Sequence, residues 1–262
     1  MIRYLNIYKS IMRINFVSLT TYRANFVNST ISAVIWALFV LAQMVLILSR
    51  TNSVFGWTKN ELILLTVIYG LIVGIFHMFF ARSFERFSRL MMWGNFDAVL
   101  LKPVDSQFSL SVWEMNYPAF SRLIIGGILL VYLLFGLSYH FSLINFLFFL
   151  VLIISGVLTL YSLWVIAATF IIFVPELTNI LEVMYTVNGF TRFPPEMFKK
   201  ISPLLFIAAL PVVYIASSPL KVLVGKASLL DIMSLLIICF SSLIISRAFW
   251  LFGLRHYTSA SS

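Results

Sequence analysis

Along the chain, apolar positions come in long uncharged runs, not in the alternation of a strand or the narrow stripe of a surface helix. Residues 26–48 (FVNSTISAVIWALFVLAQMVLIL) and 61–81 (ELILLTVIYGLIVGIFHMFFA) flank a short loop at 50–60. Each run is close to the ~20 residues that a helix needs to cross ~30 Å of hydrocarbon. A third run covers 119–139, with Arg122 near enough to its start to snorkel. Only His140 parts it from the next run, which predicts a tight hairpin. Residues 141–174 carry no charge, and that length exceeds one crossing even with tilt. Pro175 and Glu176 interrupt the run, a weaker segment continues to Phe190, and the last span covers 229–252.

After the charged stretch TRFPPEMFKKISP (191–203) comes the apolar LLFIAALPVVYIASSPLKVLVG, and the two together hold Pro194, Pro195, Pro203, Pro211 and Pro219. Two topologies fit. In one, 175–200 is a cytoplasmic loop and 201–220 is the fifth span, which places Arg192, Lys199 and Lys200 inside. In the other, 141–190 supplies spans four and five, and 191–228 dips into the membrane from outside and returns. The prolines favour the second, because they make a continuous crossing helix awkward. Both give six crossings with both termini in the cytoplasm.

The polar stretches set the orientation. Residues 1–25 carry Arg3, Lys9, Arg13 and Arg23 and no acid. Lys9, Arg13 and Arg23 fall within about 80° of a helical wheel, with Ile7, Ile11 and Ile14 elsewhere, which predicts an interfacial helix on the cytoplasmic leaflet. Residues 82–118 form the longest charge-bearing stretch, whereas loop 50–60 has only Arg50 and Lys59. The basic segments 1–25 and 82–118 therefore lie inside.

Composition sharpens the class. The chain is 61% hydrophobic and 10% charged, with a mean hydropathy of +1.03 and 26 phenylalanines. A soluble domain carries roughly 25% charged residues, so the solvent here is a bilayer. The net charge of +9 flanks apolar spans, which points to membrane orientation and away from nucleic acid. A single cysteine, Cys239, excludes an intrachain disulfide and a cysteine metal site. The polar first 25 residues lack a signal-peptide core, so a retained N-terminus is expected.

Enzymatic motifs are missing. The nearest string to a nucleotide-binding loop, GKAS at 225–228, lacks the upstream glycine and has Ala where Ser or Thr would hold magnesium. The chain is not expected to be an enzyme by itself. His77, His140 and His256 are scattered, and His77 reads as a hydrogen-bonded interior histidine. Asn28-Ser29-Thr30 matches a glycosylation sequon but lies on the cytoplasmic side. Glu176 and Glu182 sit about 240° apart on a helix and share no face. Glu182, with Tyr185 and Asn188, is the candidate for lining a translocation pathway. Asp231 and Arg247 read as snorkelling residues at the ends of the last span, and Gly70 and Gly74 make a G-x-x-x-G that allows close helix approach.

Three stretches carry a family resemblance. WTKNELILL (57–65) enters the second span, GNFDAVLLKPVDSQFS (94–109) follows it, and FTRFPPEMFKKISPLLFIAALPVVYIASSPLKVLVG (190–225) precedes the last. Together, and with the ending RHYTSASS, they resemble the permease subunit of a type-2 ABC exporter, in a bacterial branch marked by G-x-x-D-x-x-L-x-K-P. The resemblance implies an all-α polytopic membrane protein with six transmembrane helices and the second of the two topologies. Its parts are an interfacial helix (1–25), two spans (26–81), a cytoplasmic coupling region (82–118), three spans (119–190), an extracytoplasmic re-entrant segment (191–228), a final span (229–252) and a cytoplasmic tail (253–262).

It also implies a coupling helix that seats on an ATPase subunit. In ARSFERFSRLMMWG (81–94), Phe84, Phe87 and Met91 recur at 3–4 spacing beside Leu90, with Arg82, Arg86 and Arg89 on other faces and Glu85 between them. Gly94 is expected to end that helix in a left-handed conformation, Asp97 to N-cap the next segment, and Pro103, after Lys102, to stop it. The implied partners are two ABC ATPase subunits, a second identical or homologous permease and membrane lipid. No cofactor is expected in this chain; ATP and magnesium belong to the ATPase. The implied place is the bacterial inner membrane, and the expected substrate is a lipophilic or cationic small molecule. The competing class is a secondary transporter or channel working without an ATPase; it requires paired intramembrane charges and an inverted repeat.

Overall fold

Uncharged runs in a chain that must satisfy every backbone group internally fold as helices, and helix dominates here. A computed structural model describes residues 2–50, 53–136 and 142–258. The first helices are α1 (Ile2–Thr21) and α2 (Arg23–Ile47), joined by a bend at Tyr22. A two-stranded hairpin follows, β1 (Ser53–Val54) and β2 (Trp57–Thr58). Phe55 and Gly56 both have positive φ, as the twist of a two-residue hairpin turn requires.

Next comes α3 (Lys59–Phe76), opened by a capping box between Thr58 and Glu61. It runs through a π-helical turn at His77–Ala81 straight into α4 (Arg82–Met92). The elbow continues as α5 (Asp97–Leu100) and α6 (Ser106–Val112). Then follow α7 (Phe120–Gly136), α8 (Leu143–Phe173), α9 (Ile180–Phe190), α10 (Pro195–Ile201), α11 (Pro203–Leu223) and α12 (Leu229–His256). The hairpin turn assigned to His140 lies outside the described residues.

Among the described residues, five helical segments are long and apolar enough to cross a membrane: Arg23–Arg50, Lys59–Met92, Tyr117–Gly136, Leu143–Phe173 and Leu229–His256. Two details depart from the sequence reading. The second half of the 141–190 hairpin is a helix of only 11 residues, α9, set off from α8 by a 3₁₀ segment at Pro175–Asn179. The prolines of the 191–228 segment also leave α11 continuous: Pro211 and Pro219 both lie inside it. Glu196 near the start of that segment lies 3.6 Å from Lys221 near its end.

The longest helix, α8, is the centre of the bundle. Leu160, Trp164, Val165 and Ala168 are fully buried, and α3, α4, α9, α11 and α12 pack around them. Glycines set the closest approaches. A Cβ at Gly253 on α12 would come within 2.7 Å of Thr169 on α8. On α3 and α7, Gly74 lies under Leu123 and Gly126 under Leu71, so half of the G-x-x-x-G serves packing within the chain, while Gly70 faces open space. The outward faces of α2, α7 and α12 stay apolar and exposed, with Phe39, Phe135 and Phe240 among them.

Polar contacts gather at the two ends of the bundle. At the hairpin end, buried Glu61 pairs with Lys226 at 2.5 Å, Lys221 with Asp231 at 2.8 Å, and the Trp57 indole donates to Glu196 at 2.8 Å. At the elbow end, Arg247 grips Asp105 through both guanidinium nitrogens, at 2.6 and 3.1 Å, and donates to Gln107 at 2.9 Å. Asp231 and Arg247 are therefore tertiary ties and not snorkelling residues. The Asp231 carboxylate also forms the N-terminal capping box of α12 with Ser228.

Candidate functional site

Between α2, α3, α7 and α9 lies a cavity of about 640 Å³. Trp36, Val40, Leu41, Val73, Ile125 and Leu129 make much of its wall apolar. Several of its polar residues are fixed by a neighbouring element. His77 opens the π turn, a local widening that often marks a functional position. The Met78 carbonyl of that turn accepts from the Asn116 backbone N–H at 2.8 Å, which ties the start of α7 to it. Arg122 on the first turns of α7 approaches His77 Nδ1 with Nη1 at 3.2 Å. Arginine can only donate, so Nδ1 accepts and the ring proton of a neutral His77 sits on Nε2.

Asn188 on α9 is 2% exposed, and its Oδ1 accepts from the Trp164 indole at 3.3 Å. The indole only donates, so it fixes the amide with its NH₂ turned away from Trp164. Arg192 donates to Gln43 Oε1 on α2 at 3.2 Å. Tyr185 packs edge-on against both His77 and Trp164 and donates its hydroxyl to the Glu85 carboxylate on α4.

All three residues read as pathway candidates, Glu182, Tyr185 and Asn188, line this cavity. Glu176 does not: it is exposed on the 3₁₀ segment. Arg122 and Arg192 were missed as wall residues. Arg122 was read as a snorkelling residue and Arg192 as a loop charge, although an arginine at the edge of an apolar run is itself a signal. Among the described residues neither guanidinium forms an ion pair with a carboxylate, and Glu182 is the only acid on the wall.

The elbow residues divide into an inner and an outer set. Phe84, Phe87 and Met91 form one face of α4, as their spacing predicts, but that face is buried in this chain against Trp164, Phe96 and Trp250. Arg86 and Arg89 each lie 3.6 Å from Glu114. Arg86 also stacks on Trp113 from one side, and the Lys102 ammonium sits 3.5 Å from the same ring. Burial and the nearby Arg86 push the Lys102 pKa below its ordinary value. Arg82 and Leu90 are partly buried.

Gly94 ends α4 with φ +67°, as expected. Asp97 is the first residue of α5 and not its cap, and it bonds to the Tyr257 hydroxyl. The capping aspartate is Asp105, which accepts from Phe108 N at the start of α6. Pro103 follows the end of α5, and its carbonyl accepts from Arg3 at 2.8 Å, which docks α1 on the elbow. Burial would raise the Asp105 carboxyl, but the hydrogen bonds from Arg247, Phe108 N and Gln107 N outweigh it and hold its pKa below the ordinary carboxylate value. Beyond all of these, Met92, Trp93, Leu100 and Leu101 protrude, with Leu101 85% exposed.

Residues 33–261 match the family described as ABC-2 family transporter protein. The chain belongs to that family. The match covers the cavity and the elbow alike, and with the five long apolar helices it makes the chain a multi-pass membrane protein of the ABC-2 permease type. Membership implies, in general terms, an ABC ATPase subunit as partner. No curated protein matches the chain.

Proposed function

We infer that this ABC-2 permease is half of the membrane pathway of an ATP-driven exporter, moved by a separate ATPase through its elbow. The observation that carries this reading is the exposure of the apolar residues Met92, Trp93, Leu100 and Leu101 on the two sides of the turn at Gly94, in the most highly charged stretch of the chain. An apolar patch surrounded by polar groups is a protein-docking surface. It differs from the face singled out by helical spacing, because Phe84, Phe87 and Met91 hold α4 to this chain's own core.

Force at this turn has two routes to the cavity. The helix α4 continues α3 without a break, so displacement passes to the π turn that bears His77. The Tyr185–Glu85 hydrogen bond joins α4 to α9. Nucleotide-driven closure of the ATPases would shift the population from an inward-open to an outward-open pathway. ATP and magnesium act on the ATPase. A second permease, identical or homologous, completes the pathway, and the exposed apolar faces of α2 and α7 are available to it or to lipid.

The topology that goes with this reading puts both termini and the elbow in the cytoplasm of a bacterial inner membrane. The same reading takes 191–228 as re-entrant, and the contact of Glu196 with Lys221 at the hairpin end supports a path that leaves that end and returns to it. The fifth crossing is the 3₁₀ segment Pro175–Asn179 with α9 and the turn after Phe190. Helix α1 lies on the inner leaflet, presenting Ile14, Phe16 and Val17 to lipid. The apolar wall suits a lipophilic substrate.

Co-purification tests this. The unaltered chain, extracted in mild detergent from its native membrane, is expected to bring down an ABC ATPase. The double variant Trp93→Glu, Leu101→Glu is expected to insert normally and recover at least about tenfold less ATPase, since two buried apolar anchors contribute on the order of 2 kcal/mol or more to an interface. Recovery of no ATPase with the unaltered chain, or equal recovery with the variant, would refute the reading.

A further inference from the structure

Four cavity-lining residues carry side-chain donors that find no partner among the described residues: Arg122 Nε, His77 Nε2, Asn188 Nδ2 and Arg192 Nε. The orientation of two of them is dictated by the fold. Arg122 occupies the acceptor nitrogen of His77 and leaves the N–H of Nε2 unused. Trp164 occupies the carbonyl of Asn188 and leaves its NH₂ unused. A buried donor without an acceptor is costly, more so for a charged group, and four of them on residues of one wall mark that wall as short of acceptors. Asn116 Oδ1 is an unpartnered acceptor on the same wall, and the exposed Glu182 is the wall's only carboxylate among the described residues. With His77 neutral, two guanidiniums face one carboxylate, so the wall bears a net positive charge.

We propose that the cavity takes an amphiphile with an anionic, acceptor-rich head, a phosphate or a carboxylate, on an apolar body. The head lies against the guanidiniums of Arg122 and Arg192, and the body lies along Trp36, Leu41 and the apolar face of α7. The cationic alternative in the expected substrate class, which Glu182 and the many aromatic residues suggest, is disfavoured, because both guanidiniums would repel it. The inference deepens the exporter reading and rests on it only for calling the ligand a substrate; the binding chemistry stands on the cavity alone.

The test uses the full-length chain, purified in a neutral maltoside detergent without any ATPase. The probes share one alkyl tail: dodecyl phosphate, laurate, dodecanol and dodecylamine, each titrated calorimetrically. Dodecyl phosphate and laurate are expected to bind about tenfold or more tightly than dodecanol, and dodecylamine weakest, since a charge-assisted hydrogen bond contributes about one decade of affinity. Arg122→Gln and Arg192→Gln each weaken dodecyl phosphate about tenfold and leave dodecanol unchanged; Glu182→Gln strengthens it severalfold. Dodecylamine binding as tightly as the phosphate overturns the proposal, as does unchanged phosphate affinity in both arginine variants. Should those variants misfold, the probe series on the unaltered chain and the Glu182→Gln titration decide it in the same way.

Short-chain phosphatidylglycerol, set against short-chain phosphatidylcholine, separates the two sources of such a head. Preference for the glycerol lipid over dodecyl phosphate supports the proposal with a membrane lipid as ligand, and the reverse order supports it with a free amphiphilic acid. Loss of ATPase co-purification with probe binding intact removes the exporter reading alone. Loss of the charge preference with co-purification intact removes this proposal alone.

Discussion

At the scale of single residues, the most consequential contacts join positions far apart in the chain. Asp105 caps α6 and accepts two hydrogen bonds from Arg247, 142 residues away. Asp105→Asn keeps the cap and removes the charge, and is expected to cost about 1 kcal/mol, because the pair is partly exposed. Asp105→Ala loses the cap as well and costs about 2 kcal/mol. Thermal unfolding in detergent reads both. The Asp105 pKa is depressed in the folded state, so the unfolded chain takes up the proton first as pH falls. Its contribution is present above the ordinary value of 3.8 and is lost as pH drops through the folded value. The stability gap between the parent and Asp105→Asn should therefore close below pH 3.8 and hold constant at neutral pH. Asp97 is the first residue of the short helix α5, and Asp105 immediately precedes the short helix α6. Choosing Asp97 as the cap was a local reading, and the backbone that turned α5 one residue earlier was set by Phe96 packing on Phe87 and Trp250.

At the scale of elements, long apolar runs determined helix existence, and small residues determined how near helices come. A Cβ at Gly253 would sit 2.7 Å from Thr169 Cγ2, and the Thr169 hydroxyl is held by the Val165 carbonyl at 2.7 Å, so it has little room to turn. Gly253→Val is expected to destabilise by about 1–3 kcal/mol through overpacking of α8 on α12. Gly127→Ala, where nothing lies within 4 Å, should be neutral or stabilising by up to about 1 kcal/mol through helix propensity. Equal thermal shifts for the two would contradict the packing assigned to Gly253. Helical spacing placed Phe84, Phe87 and Met91 on one face of α4, and that face exists. Whether it meets this chain or a partner is beyond any one helix, since spacing shows which residues share a face but not what covers it. The prolines misled for a related reason: Pro211 and Pro219 were read as breaks, yet neighbouring helices hold α11 continuous around them.

At the scale of the whole molecule, the proposed topology makes a labelling prediction. Cys239 is buried and the chain's only cysteine, so single cysteines can be introduced on a Cys239→Ala background. Lys102→Cys and Arg255→Cys should react with a membrane-impermeant maleimide only after the membrane is opened from the cytoplasmic side. Lys199→Cys and Lys226→Cys should react in intact cells. Protection of Lys199→Cys in intact cells would restore 201–220 as a crossing helix. The multi-pass membrane class and the positions of most spans were determined by the sequence alone, because transfer of uncharged side chains into hydrocarbon is an additive, local effect. Only the tertiary structure decided the cavity, its excess of unpartnered donors and the exposed apolar residues beside Gly94. Those depend on which residue meets Arg122, which indole holds Asn188 and which face of α4 the core covers, and each is a contact between segments that no single stretch of sequence specifies.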